Sequence, residues 1–427
     1  MDRKPIFFNL RLNNLNLLSF LWLFAIALHL TSFLAVWINS NYYLNDSVIF
    51  LTIAQNLQRY KTFSQSFYEP IIPDFQRSPL YPLLLSQLPI YAVLLLQHVL
   101  VLLSSWLIQN FTYHFKKNTT FFHHLGVIFC LTPYSINLAS LLMSETVYTF
   151  FLTLLGFFLL HFSFLPTWKN LLYIAFFLIL ASYTRASVLP FSLWIIIWIY
   201  FFSRSILKTF CFGLLFLLGL FPWIYRNYTH TNQCFFTSMS EISMHYGRIG
   251  GTLLALDTNM KNDAFLKAHA DSYVSKIYPL EKIKKYPLHQ ITEENERIDY
   301  PLSWVYLKQQ IEMPLHGIIF HLRCILQQMT GLSYGMTSYM YGIPFLALFF
   351  ALVQGFFILG VYGYFIFKVV TTGNLTTWLW FGSIIFWFFI HNAAWADGRY
   401  RYPTDLWCIL GILLLALQNN QQKPSNT

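Results

Sequence analysis

Long apolar windows recur from one end of this chain to the other. Residues 17–38, LLSFLWLFAIALHLTSFLAVWI, carry no charged side chain, and windows like it return throughout the 427 residues. A hydrocarbon core roughly 30 Å thick takes an apolar helix of about 20 residues, and on that scale the chain offers about ten candidate spans. They fall near 16–38, 88–111, 120–140, 146–165, 171–184, 188–203, 207–223, 344–367, 376–392 and 404–418. Only 10% of the residues are charged, against about a quarter in soluble proteins. That deficit excludes a soluble enzyme, a disordered chain and an ordinary nucleic-acid binder, despite the net charge of +10. The expectation is an all-α polytopic membrane protein, folded as one integral domain over residues 1–427.

The basic residues orient it. With the N-terminus inside, the cytoplasmic segments hold Arg3, Lys4, Arg11, Lys116, Lys117, Lys169, Arg204, Lys208, Lys368 and Lys423, against Asp2 as their one acid. The opposite phase would break the positive-inside rule. Both termini are therefore expected in the cytoplasm. The first span is too long for a signal peptide and lacks a small-residue cleavage site.

The acids then become informative. Ten of the 17 Asp and Glu lie in a hydrophilic stretch, 224–343. Apart from Asp2, the others are Asp46, Glu69, Asp74, Glu145, Asp397 and Asp405, each on the external side or at the outer end of a span. Ionisable groups at a bilayer are costly and are functional candidates by default. Two external segments are large: 40–87, expected to lay short helices on the membrane surface, and 224–343, expected to form amphipathic helices separated by Pro279, Pro287 and Pro301.

Six motifs carry the polar residues of that face. In YYLNDSVIFLTIAQNL, Asp46 opens a helix-like run; it is either an acid favoured by the helix dipole or a carboxylate placed to take a proton from an acceptor hydroxyl. In PDFQRSPLYPLLL, two prolines turn the chain back toward the membrane, and Arg77 is either an interfacial anchor or a fork for phosphate. In LLMSETVYTF, Ser144 is expected to cap a helix whose first turn holds Glu145. SYTRASVLP places Arg185 at the tip of a tight helix pair. FPWIYRNYTHTNQCF places Arg226 just beyond a span, and HNAAWADGRYRYPTDLW places His391, Asp397, Arg399 and Arg401 at the entry of the last one. The histidines show no HxxxH or HxH pattern, and no phosphate loop or GxSxG element is present. The cysteines Cys130, Cys211, Cys234, Cys324 and Cys408 lack metal-ligand spacing; of these, Cys234 and Cys324 could meet outside the membrane.

Taken in order, Asp46 with IAQNL, then RSPLYPLLL, MSETVY, TRASVLP, PWIYRNY and GRYRYP resemble the GT-C membrane glycosyltransferases. The likeness is to their bacterial branch, similar to protein O-mannosyltransferases and to the aminoarabinose transferase of lipid A. The resemblance implies a GT-C-like fold of the inner membrane that transfers a sugar from a polyprenyl-phosphate donor to a lipid, glycan or protein acceptor at the external face. It implies Asp46 as catalytic carboxylate, with Glu145 as a second acid, and Arg77, Arg185, Arg226, Arg399 and Arg401 as binders of the donor phosphate. Two departures bear on a divalent metal. Asp46 is followed by Ser47, where many relatives carry an acidic pair, and Gln76 precedes Arg77, where the aminoarabinose transferase has a Glu. The residues thus give no support for a metal or another cofactor. The rival expectation is a transporter or flippase for an anionic lipid-linked substrate. That needs ionisable residues near the bilayer midplane and internal repeats, and the sequence shows neither.

Overall fold

The computed structural model describes residues 15–115, 120–239, 243–257, 262–277, 285–287, 296–298, 302–330, 344–391 and 398–421. It is a helical bundle with one small polar lobe. The helices are α1 (Leu15–Asn39), α2 (Asn45–Tyr60), α3 (Leu80–Gln87), α4 (Ile90–Phe115), α5 (Thr120–Cys130), α6 (Pro133–Ala139), α7 (Glu145–Phe164) and α8 (Trp168–Thr184). They continue with α9 (Phe191–Ser203), α10 (Ile206–Thr231), α11 (Asp263–Ile277), α12 (Leu302–Glu312), α13 (Pro314–Thr330), α14 (Pro344–Thr372), α15 (Leu375–Ile390) and α16 (Gly398–Gln421). A π-helical turn, Ser243–Gly250, and a short antiparallel ribbon pairing Lys285–Pro287 with Glu296–Ile298 lie in the lobe.

Among the described residues, five helices are long and apolar enough to cross a membrane: Leu17–Asn39, Ile90–Phe111, Glu145–Phe164, Ile206–Thr231 and Leu352–Thr371. α8, α9 and α15 are equally apolar but span only 17, 13 and 16 residues. The chain is a multi-pass helical membrane protein. α7 and α16 form its centre, and every residue of 401–415 in α16 is buried. Gly156 lets the two approach, since a Cβ there would stand 2.5 Å from Leu410 Cδ1. Beside them Trp380 stacks on Trp407 at 5.0 Å. Both indoles are satisfied: Trp380 donates to the Trp407 carbonyl and Trp407 to Ser383 Oγ, each at 2.9 Å. Apolar surroundings require that, because no water is there to take an N–H.

The expected span 120–140 is corrected. α5 stops at Cys130 after 11 residues, and Thr132 then caps α6, accepting from the Ser135 N–H at 3.3 Å, with Pro133 at the first helical position. The reason is local: proline favours a first turn and supplies no N–H for a helix arriving from behind. The following irregular segment, 140–144, is buried. Non-helical backbone at that depth survives only inside protein, and here Gln97 clamps it, donating to the carbonyls of Ala139 at 2.9 Å and Leu141 at 2.6 Å. The Leu142 N–H reaches the Tyr42 carbonyl at 3.0 Å. That clamp ties the start of α7 to the start of α2.

Other boundaries move as well. α10 runs through Pro222 to Thr231, so the first residues assigned to the 224–343 segment belong to a membrane helix. In that segment α11, α12 and α13 are helical as expected. Pro287 lies in the ribbon, and Pro279 and Pro301 fall outside the described residues. The 40–87 segment holds α2 and α3 joined by an extended loop. Cys234 is exposed and Cys324 buried, and both are free thiols.

Candidate active site

The ordered loop 61–79 is what brings Arg77 to Asp46. Asn56 of α2 donates to the carbonyls of Ser64 at 2.8 Å and Ser66 at 2.9 Å, and the Ser64 hydroxyl donates to the Ile72 carbonyl. The Asp74 N–H reaches the Phe63 carbonyl at 2.7 Å, closing the loop on itself. Asp74 then accepts the Arg77 N–H on Oδ2 at 3.1 Å. Asp74 is fully enclosed, and burial pushes its carboxyl pKa up, opposed by that N–H and by the Arg77 charge. From this platform Arg77 Nη2 reaches Asp46 Oδ1 at 3.0 Å, with the guanidinium 5.7 Å from the Phe50 ring centre. Asp46 sits in the first turn of α2, so the dipole also favours it there. The pair stays partly open: the Asp46 side chain is 34% exposed and that of Arg77 17%.

A second pair lies behind the first. Glu145, the first residue of α7, bonds Arg185 at 2.7 Å and is only 4% exposed. Ser144 does not cap α7 as expected. Its backbone is already helical, and its hydroxyl lies 3.3 Å from the Arg185 guanidinium instead. One wall joins the two pairs. Ser47, next to Asp46, touches Met143 Sδ at 3.9 Å. Phe50, beneath Arg77, stands edge-on to Tyr81 at 5.1 Å, and the Tyr81 hydroxyl is within electrostatic reach of Glu145. Glu145 Oε2 and Arg77 Nε have no hydrogen-bond partner among the described residues, which marks where this cluster retains polar capacity.

The remaining arginines separate by environment. Arg226 is boxed by Phe75 and Trp223, each 4.8 Å from its guanidinium carbon, and by Phe63 at 5.6 Å. It donates to the Asp74 carbonyl at 2.7 Å and to Asn227 Oδ1 at 2.9 Å, fastening the loop to α10. Arg401 is fully buried: it bonds Asp405 at 3.1 Å and donates to the carbonyls of Gln328 at 2.9 Å and Met329 at 2.7 Å. Arg399 lies in the first turn of α16, but its side chain, like all of Asp397, falls outside the described residues.

Sequence reasoning missed Arg248. Its guanidinium donates to the carbonyls of Phe389 at 3.2 Å and Ile390 at 2.8 Å, joining the lobe to the end of α15. Arg248 and Arg185 both act electrostatically on the buried His391, so lobe and bundle meet beside the second pair. The signal available was the glycine-flanked HYGRIGG, where a guanidinium follows backbone free to pack closely. Among the described residues, no group of three or more His, Cys, Asp or Glu could hold a metal ion. No protein-family model, curated protein or solved structure matches this chain.

Proposed function

We propose that the chain is a membrane glycosyltransferase that moves a sugar from a polyprenyl-phosphate donor to a lipid, glycan or protein acceptor. The active face is external on the inner membrane, and the reaction is a carboxylate-assisted direct displacement. One observation carries the reading: Asp46 and Arg77, 31 residues apart, meet at 3.0 Å at a partly open position on an ordered platform.

In the resting pair Arg77 neutralises Asp46. A donor phosphate takes over the guanidinium, which grips it in two-point geometry, and Asp46 is released as a base. The acceptor oxygen then forms its bond to sugar C1 as the bond from C1 to the phosphate oxygen breaks. The acceptor proton goes to Asp46, and the electron pair leaves on the phosphate, whose charge Arg77 offsets. Backside attack inverts the sugar centre. The Glu145–Arg185 pair backs the first pair, while Arg226 and Arg401 hold the scaffold.

The test is reconstituted protein in vesicles with a polyprenyl-phosphate sugar and membrane extract as acceptor. Cleavage of the bond from C1 to phosphate, lost in Asp46→Asn, supports the transferase. Donor crossing the bilayer uncleaved would mean a transporter. Reporter fusions after Lys117 and Thr427 should read cytoplasmic and one near position 280 external.

A further inference from the structure

Two helices of the polar lobe carry an apolar stripe that stays exposed among the described residues. α12 presents Trp304, Leu307 and Ile311, and α13 presents Leu315, Ile318, Leu322 and Leu326, at spacings of three and four residues that put each set on one helix face. All seven are between 49% and 72% exposed. Together they open an area on the order of several hundred Å², more than a soluble surface ordinarily leaves in one patch.

The opposite faces are already spent. Val305 packs with Ile249, Ala270 and Val274, and Phe320 and Cys324 pack with Leu254 and Leu266. Arg323 donates to the carbonyls of Ala255 at 3.1 Å and Asp257 at 2.6 Å, which fixes the rotation of α13. Its outward stripe cannot turn inward.

The position of α13 names the occupant. Its last turn is fastened to α16 by the two Arg401 bonds, and the His321 ring stands 5.3 Å from Phe389 at the end of α15. α13 therefore lies at the level where the membrane helices end. Ile385 and Phe389 of α15, the helix that α13 meets through His321, are also partly exposed. α13 is not itself apolar enough to span, with His316, His321, Arg323 and paired glutamines on its other faces. One apolar face and one polar face on a helix of about 25 Å is the pattern of an element lying in the bilayer interface.

We propose that α12 and α13 form a monotopic wedge, with Leu315, Ile318, Leu322 and Leu326 seated among the acyl chains of the leaflet at that end of the bundle. This anchors the lobe to the membrane independently of the reaction assigned to the site.

The experiment places an environment-sensitive nitrobenzoxadiazole label on Ile318→Cys, on Leu322→Cys and on Ala268→Cys, an exposed α11 position. The full chain carries Cys211→Ser and Cys234→Ser and is reconstituted in phosphatidylethanolamine–phosphatidylglycerol vesicles. The labels at 318 and 322 should emit at shorter wavelength and be quenched several-fold more by acyl-chain nitroxide lipids than the label at 268, which aqueous iodide should quench. Iodide quenching at 318 and 322 equal to that at 268 would overturn the proposal. Shielding from both quenchers would overturn it too, because a protein partner would then cover the stripe.

Discussion

Asp46 with Arg77 and Asp405 with Arg401 are the same two groups at nearly the same separation, 3.0 and 3.1 Å. The first pair joins a helix to a loop and stays partly open to solvent. The second sits within one helix and is sealed, with the Arg401 side chain 0% and Asp405 1% exposed. Asp405 also accepts from the Tyr362 hydroxyl at 2.9 Å, so α14, α16 and the end of α13 converge on it. An open guanidinium can leave its carboxylate for a phosphate while water covers the exchange. A sealed one cannot, because its carboxylate would remain buried and uncompensated. Two pairs of the same chemistry thus differ in burial, and burial decides which guanidinium is free to leave its carboxylate.

Breaking the sealed pair should have the largest effect on stability. Arg401→Leu strands Asp405 and should cost about 3–5 kcal/mol in thermal unfolding in detergent. Adding Asp405→Leu should recover much of that loss. If Arg401→Leu melts like the parent and loses only donor binding, the two pairs are alike and the comparison fails.

Arg226→Lys comes next. A lysine keeps the charge but loses the planar stacking between Phe75 and Trp223 and the forked bonds to the loop, for about 1–2 kcal/mol. The expected signature is faster hydrogen exchange in residues 61–79 with donor affinity falling only in proportion. Arg204→Lys, at the far end of α9, should change neither.

A smaller effect is set by pH in the lobe. Burial, and then the Arg248 charge, lower the His321 pKa from 6.5 to about 4. Tyr306 is bonded to the ring at 2.9 Å. A depressed histidine gives stability that is complete above its ordinary 6.5 and is lost as pH falls toward 4. With solvent screening of a part-exposed ring, the loss is about 1 kcal/mol. Protection factors against hydrogen exchange in α12 and α13, taken relative to intrinsic rates at each pH, should fall between pH 6.5 and 4, and His321→Gln should flatten that fall.

Much of the bundle was legible, because lipid demands long apolar runs and the chain writes them plainly. The break at Leu131 and Thr132 was not, since an average over 120–140 hides one Pro133, whose missing N–H leaves the Phe129 carbonyl to the hydroxyls of Thr132 at 3.0 Å and Ser135 at 2.6 Å. The overrun of α10 was hidden by Pro222, which reads as a stop yet is carried inside the helix. In the site, Asp46, Arg77, Glu145 and Arg185 could be named from one-sided charge, but their pairing could not, because it runs through the stapled loop and the clamped 140–144 segment. Burial of Arg226 and Arg401 was illegible for the same reason: charge placement along a sequence carries no measure of depth within the protein.

The measurement that bears most directly on the contrast is Asp46→Asn, read for stability and sugar transfer in the same purified, reconstituted protein. A partly open pair contributes about 0.5 kcal/mol or less to folding, so the melting temperature should stay near the parent value. Loss of the base should lower turnover on the order of a hundredfold or more. An Asn variant that melts like the parent and transfers sugar at the parent rate would reduce Asp46 to a helix-dipole acid and contradict the account.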